Sequence, residues 1–285
     1  MSEMLRSPRE ADIATVVGLM SQDWPDPIDA QSVLRAWTSP GIDRERDVRL
    51  GPGCYAIIQG LDHERVWLDV RGHLSGELLD WAEARAAEKG RRFFAGAWSN
   101  NERTLAALAA RGFGSVRYSH RMEIDLGEPT PEPRWPEGVD VRTFRSGDER
   151  VFYEVHQETF RDSWEPIEET YDEWAHALLE PPAFAPDLWF LALAGDEPAG
   201  FALCHPHSGN DKLGWVRILG VRRPWRRRGL GRALLLHAFS EFRQRGFRLA
   251  GLGVDAESLT GANRLYEQVG MRVSARFDIY EKTVG

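Results

Sequence analysis

Apolar residues recur along this chain in two periods, one near two and one near 3.6, and the two alternate in an order that occurs twice. In the first half, residues 54–59 and 65–70 are short apolar runs of strand type, while residues 76–88 carry helical spacing closed by Lys89 and Gly90. Residues 93–98 return to a strand, residues 104–110 to a helix, and a last strand follows Gly112 and Phe113 as far as Ile124. Ahead of these, residues 13–20 carry helical spacing. Residues 127–138 read Gly-Glu-Pro-Thr-Pro-Glu-Pro-Arg-Trp-Pro-Glu-Gly, and four prolines so close together fit neither a helix interior nor a central strand, which predicts a linker.

Beyond the linker the order returns. Residues 139–144 alternate as a strand, Ser146-Gly-Asp signals a helix start, and residues 151–160 have helical spacing. Strands over 188–194 and 199–205 flank the turn Gly195-Asp-Glu-Pro, and a further strand covers 215–221. A helix over 231–245 turns Ala233, Leu234, Ala238 and Phe242 inward and ends at Gly246; then come a strand over 249–254, a helix over 261–269 and a strand over 273–280. The repeated order predicts a duplicated mixed α/β fold, with domains at 1–126 and 139–285 joined by the linker at 127–138.

Composition changes this picture in one place. With 285 residues, 42% hydrophobic and 28% charged, both halves have material for a core, no apolar run is long enough for a membrane helix, and a cytoplasmic protein is expected. Cys54 and Cys204 sit in apolar strand-like runs and read as buried thiols, and no spacing of a known metal site occurs, so no metal is expected. The net charge of −8 argues against a nucleic-acid partner, yet residues 217–232 hold seven arginines and no carboxylate. That run is either a solvated basic face or an anion site.

Its position favours the second reading. A strand ending at Val221, a turn, and a long helix aim the unpaired first-turn amides of that helix at one point, where the helix dipole is positive. Gly229 and Gly231 allow a ligand to approach the backbone, and arginines add charge-assisted hydrogen bonds. A glycine pair before a helix is, by itself, also what a tight turn shows. The wider stretch from Val221, Val-Arg-Arg-Pro-Trp-Arg-Arg-Arg-Gly-Leu-Gly-Arg-Ala-Leu-Leu, resembles motif A of the GNAT acyltransferases, whose key positions fall on Arg226, Gly229 and Gly231. The stretch from Asp255, Asp-Ala-Glu-Ser-Leu-Thr-Gly-Ala-Asn-Arg-Leu-Tyr-Glu-Gln-Val-Gly-Met, resembles the motif B helix of the same family, departing only where Met271 stands in place of Phe. No Lys-Ser or Lys-Thr follows the glycines, which excludes a Walker A loop.

The resemblance implies two tandem GNAT-like domains, each a mixed, mostly antiparallel sheet flanked by helices. It implies an N-acyltransferase whose C-terminal domain moves an acyl group from acetyl-CoA to a primary amine, on a small molecule or peptide, by direct attack in a ternary complex. On this likeness the main chain of Leu219, Gly220 and Val221 meets the acyl group and pantetheine arm. Arg226, Arg227, Arg228, Gly229, Leu230, Gly231, Arg232 and Ala233 surround the pyrophosphate, and Ser258 is a further coenzyme contact. Tyr266 is the candidate acid for the departing thiolate, its alternative being a packing tyrosine at a helix end. The strand before the cradle, Trp-Val-Arg-Ile-Leu-Gly-Val from Trp215, offers no acid to serve as base. Glu165, within a segment of acids and aromatics, is the candidate, with His205 and His207 behind it.

In the first half, the stretch from Val66 matches the same motif at Arg71 and Gly76 but carries Leu74 at the first glycine, and Leu108 stands where the second half has Tyr266. This predicts a fold that has outlasted its site. A silent acyl-CoA sensor and an arginine run on nucleic acid stay open as alternatives to an enzyme.

Overall fold

The β-branched and aromatic runs form strands and the amphipathic stretches form helices in the computed structural model, which describes residues 5–22, 28–60, 64–164, 166, 169–179, 184–207, 210–258 and 260–285. The chain divides into two compact units, Met1–Ser119 with Ala275–Gly285, and His120–Ser274.

In the first unit, α1 (Ile13–Gln22), α2 (Ala30–Thr38) and the single turn α3 (Arg44–Asp47) precede β1 (Val48–Gly51), β2 (Cys54–Gly60) and β3 (Arg65–Gly72). Then follow α4 (Gly76–Lys89), β4 (Arg92–Trp98) and α5 (Glu102–Ala110), and β5 (Gly114–Asp125) begins in this unit and ends in the other. β1, β2 and β3 pair antiparallel, and β3 and β4 pair parallel. Alternation along the strands loads both faces. Ala56, Ile58, Val66, Leu68 and Val70 pack with Leu78, Leu79 and Ala82 of α4, whereas Tyr55 and Ile57 pack with Val16, Leu19 and Trp37 of α1 and α2.

In the second unit the order is β6 (Val139–Thr143), α6 (Glu149–Phe160), α7 (Tyr171–Leu178), β7 (Trp189–Ala194), β8 (Glu197–Pro206), β9 (Leu213–Val221), α8 (Leu230–Gln244), β10 (Leu249–Asp255) and α9 (Ala262–Gln268). β6 to β9 pair antiparallel in sequence, and β9 pairs parallel with β10. One face carries Leu234, Leu235, Phe239 and Phe242 of α8 against Phe190, Ala202, Cys204 and Val216. The other carries Phe152 and Val155 of α6 and Trp174 of α7 against Trp189, Leu191, Phe201 and Leu203. Each fully buried Leu or Phe contributes about 1.5–3 kcal/mol, which makes α8 the principal anchor of its face. Cys54 and Cys204 are buried free thiols.

The two units repeat one plan, an antiparallel run followed by a parallel pair with a helix in the crossover. Their boundary differs from the division at 139 predicted from the sequence. β11 (Arg272–Thr283) crosses into the first unit and pairs antiparallel with β4, from Phe277 opposite Trp98 to Thr283 opposite Arg92. β4 would otherwise present an unpaired edge, and backbone pairing satisfies it. The predicted linker at 127–138 has neither helix nor strand, and its Trp135 packs onto the core of the second unit. α2, α3 and β1 are elements that the apolar periodicity did not pick out.

Ending the chain at Ser274 removes the strand that covers β4. We expect thermal unfolding of that truncated protein to begin about 10 °C lower than that of the full chain, with the near-ultraviolet signal of the first unit lost first.

Candidate functional site

The second unit is opened by a break in its own sheet. β9 and β10 are paired only from Leu213 opposite Leu249 to Val216 opposite Leu252, although β9 continues to Val221 and β10 to Asp255. At the same point the register between β8 and β9 shifts, since Leu203 lies opposite Ile218 and Cys204 opposite Val216, leaving Arg217 as an extra residue. A bulge bends its strand and raises local twist, which turns the end of β9 away from β10. The inner edges of both strands are left without a strand partner beyond the break.

The N-terminus of α8 follows directly. Gly229, its N-cap, has φ of +85° and no side chain to cap the first-turn amides. A Cβ at Gly229 would meet nothing within 4 Å, so the glycine is required by backbone conformation and not by space. At Gly231 the space is tight, because a Cβ there would lie 3.3 Å from the end of Leu265, which would have to shift slightly, and 3.5 Å from Val221. Arg227 also has positive φ, at 61°, a conformation costing a non-glycine residue about 1–2 kcal/mol. Strain of this kind persists where the surroundings impose it, commonly at binding loops. Arg227, Arg228 and Gly229 are exposed, Leu230 and Ala233 are buried in the core, and Arg232 is half-buried. Leu219 and Val221 lean on the α8 core, while Gly220 is buried where a Cβ would strike Phe201 and Thr159. Ser258, half-buried in the turn after β10, shares a hydrogen bond of 2.8 Å with Thr260.

The seven arginines do not act as one charged face. Arg222 bonds Glu158 and Glu197, each at 2.8 Å, and the carbonyl of Pro198. Arg223 and Arg226 both hold Asp162, Arg226 at 2.8 Å, and Arg226 also donates to the carbonyls of Val221 and Thr159. These pairs keep the Asp162 carboxyl well below the usual carboxylate range. The guanidinium of Arg226 therefore fixes the loop to the end of α6, and the cationic side chains projecting at the helix mouth are Arg227 and Arg228, the latter stacked over Trp225.

α9 brings two polar groups to the same region. Tyr266 has a buried ring, and burial pushes its phenol up to about 12; among the described residues its hydroxyl has no hydrogen bond. Asn263 donates to the carbonyls of Asp255 at 2.9 Å and Ala256 at 3.0 Å, which leaves its Oδ1 buried without a partner. Such an acceptor waits for an N–H donor. Asn263 lies inside the quoted motif, but only the fold of the turn exposes its unused acceptor.

On the face opposite α8, α6 and α7 meet β8 and β9. Glu165 lies outside the described residues. His205 and His207 come together, ring centroids 6.4 Å apart, and His156 of α6 packs near Phe201. Burial holds His156 and His205 down to about 4. Trp174 donates to Nδ1 of His156 at 3.0 Å, and Nδ1 of His205 contacts the carbonyl of Pro206 at 2.8 Å.

The first unit parts in the same way but lacks the cradle. Its parallel pairing ends at Leu68 opposite Ala95, yet the connection from β3 to α4 is residues 73–75 where the second unit has 222–229. Ser75 accepts from the amide of Leu78, so the helix caps itself, and Leu74 is buried in the core beneath. Arg71 lies within β3 opposite Tyr55 and pairs with Asp69; the equivalence with Arg226 suggested by sequence does not hold, because the loop that carries Arg226 has no counterpart. Leu108 is fully buried on α5.

A parted mixed sheet with an uncapped helix at the break is the architecture of GNAT-type acyltransferases, and comparison with known proteins agrees. Residues 150–271 match the family model described as Acetyltransferase (GNAT) family. A mycothiol acetyltransferase from Thermobispora bispora is 36% identical over 61% of this chain, an alignment spanning 60% of that relative's length. One from Catenulispora acidiphila is 30% identical over 94% of each chain. The crystal structure of a GCN5-related N-acetyltransferase from Sphaerobacter thermophilus superposes with a TM-score of 0.78 and 30% identity, covering 98% of this chain and 95% of that one. The chain belongs to the GNAT acetyltransferase family, as a tandem member resembling mycothiol synthase in layout.

Arg227→Gly separates strain from function. It should stabilise the second unit by about 0.5–1 kcal/mol in denaturant unfolding while weakening CoA affinity several-fold by calorimetry. Equal or lower stability would place the strain elsewhere.

Proposed function

We propose that the second unit transfers an acetyl group from acetyl-CoA to a primary amine by direct attack in a ternary complex. The observation that carries this reading is the uncapped start of α8, behind a positive-φ loop, at the mouth of the gap between β9 and β10. The amides of Leu230, Gly231 and Arg232 would bind the pyrophosphate with Arg227 and Arg228, and the open edges of β9, including Leu219 and Val221, would pair with the pantetheine arm. The unused Oδ1 of Asn263 suits an amide N–H of that arm. The relatives named mycothiol acetyltransferase favour acetyl as the acyl group and place mycothiol-related amines among the acceptors to try.

The reaction needs a neutral amine, a stabilised tetrahedral oxyanion and a proton for the leaving sulfur. Tyr266 stays protonated throughout the physiological range and its hydroxyl is not engaged elsewhere among the described residues, which suits the last of these tasks. Self-capped α4, with Leu74 buried beneath it, makes the first unit a structural partner in this reading.

Calorimetry with acetyl-CoA, and thiol release in the presence of an amine panel, test the proposal. Gly229→Val should lower acetyl-CoA affinity at least tenfold by forcing the N-cap out of its left-handed conformation. Tyr266→Phe should reduce kcat about 10–100-fold with little change in KM for acetyl-CoA. Tight binding with no thiol release across the panel would instead support a sensor.

A further inference from the structure

We propose that Asp162, just past the end of α6, is a positioning residue for the donor: it clamps the loop 222–229 so that the first-turn amides of α8 stand in place for the pyrophosphate before acetyl-CoA binds. This rests on the acetyl-CoA site of the reading above. α6 ends at Phe160 and is seated closely on β9, since a Cβ at Gly220 would lie 2.6 Å from the hydroxyl oxygen of Thr159. Its last turn is therefore delivered to the loop that begins where β9 ends. Asp162 gains nothing from α6 itself, because negative charge at a helix C-terminus opposes the dipole. Its carboxylate serves the loop instead.

Two arginines converge on that one carboxylate. Arg223 straddles both oxygens, with its Nε 3.2 Å from Oδ2, and Nη1 of Arg226 donates to the same Oδ2 at 2.8 Å. The other nitrogens of Arg226 are engaged as well. Nε donates to the carbonyl of Val221 at 3.0 Å and Nη2 to that of Thr159 at 3.3 Å. The second of these bonds caps the last turn of α6, where a carbonyl has no intrahelical partner. One guanidinium thus joins the end of β9, the end of α6 and the residue beyond it. All three of its nitrogens face protein acceptors, so Arg226 holds the loop and leaves the ligand to Arg227 and Arg228.

The clamp accounts for the strain at Arg227. That residue has φ of 61° between Arg226 and Gly229, and a non-glycine residue keeps such a conformation only where both its flanks are fixed. One flank is Arg226, held by Asp162. The other is the start of α8, where Leu230 is buried and the carbonyl of Gly229 accepts from the amide of Ala233 at 3.0 Å. With both flanks fixed, the turn into α8 is held in one conformation, and an anion meets a helix start that is already formed.

Two effects of this carboxylate oppose each other, and their magnitudes decide the sign. As a negative charge it weakens the attraction of the loop for a polyanion. That effect is small, because the side chain of Arg223 is 68% exposed and salt screens charges over about 8–10 Å. As an anchor it relieves acetyl-CoA of ordering the loop, and ordering even one backbone residue on binding lowers affinity roughly tenfold. The anchor dominates, so removing the charge should weaken the binding of an anion.

The test compares acetyl-CoA with S-acetylpantetheine, a thioester that keeps the arm and lacks the pyrophosphate, on the full chain. Acetyl-CoA affinity is read by calorimetry and that of acetylpantetheine by its displacement of acetyl-CoA. Asp162→Asn should weaken acetyl-CoA about tenfold, raise its KM with kcat little changed, and alter acetylpantetheine by less than about twofold. Asp162→Glu should restore most of the loss. The melting temperature should stay within about 2 °C of wild type, since the ion pairs are exposed. Asp187→Asn, which removes an equal charge beside Arg245 at the other end of α8, should leave both affinities unchanged. Tighter or unchanged acetyl-CoA binding in Asp162→Asn would overturn the assignment. So would an equal loss for both thioesters, which is what general damage to the unit produces. A wild-type protein that does not bind acetyl-CoA would bring down the cradle reading and the clamp with it. Affinity decides the clamp whether or not an amine is acetylated, so failure of the transfer reading and failure of the clamp give different results.

Discussion

Two parallel strands that stop hydrogen bonding partway along must leave donors and acceptors exposed on both inner edges, and the second unit is arranged around that opening. The parting begins after Val216 and Leu252, beside the bulge at Arg217. An unpaired edge inside a sheet is unfavourable unless something else bonds to it. The helix that follows β9 starts with no side-chain cap on its first-turn amides, so two sets of backbone groups without a secondary-structure partner lie on either side of the loop 222–229. In the function proposed, a flexible thioester with amides in its arm and a pyrophosphate at its end would satisfy both sets.

The first unit shows what the same plan becomes when one of these sets is closed internally. Its strands part after Leu68 and Ala95, but Ser75 caps α4 and Leu74 is buried below it. A capped helix has fewer free amides for an anion, and a three-residue connection has no room for a loop like 222–229. The two units thus share one fold and differ at this point in the length of the connection and in the serine at the N-cap.

Charge in the second unit is sorted in the same economical way. Arg222, Arg223 and Arg226 are held by Glu158, Glu197 and Asp162 and brace the loop against α6 and β8, which leaves Arg227 and Arg228 facing outward. Opposite α8, two histidines are kept neutral by burial and fixed by single hydrogen bonds, while a raised carboxylate stands at the start of α7. Exposed positive charge stands at the start of α8, and titratable groups shifted by burial collect on the other face.

Much of this was legible along the chain. The alternation of apolar periods set out two copies of one α/β plan, and the motifs around Gly229 and Tyr266 pointed to the family, because helix periodicity, left-handed glycines and short motifs are local properties. The remainder depended on distant partners. That β11 belongs with β4, that Arg226 serves Asp162, and that Arg71 sits in a strand are matters of pairing between residues far apart in the chain. No acid stands on the strand before the cradle, and the titratable groups of α6 and α7 come to lie beside β8 and β9 only through tertiary packing. A sequence records which groups a chain carries and their local spacing; which of them lose water together, and so shift their proton affinities, was decided by tertiary packing.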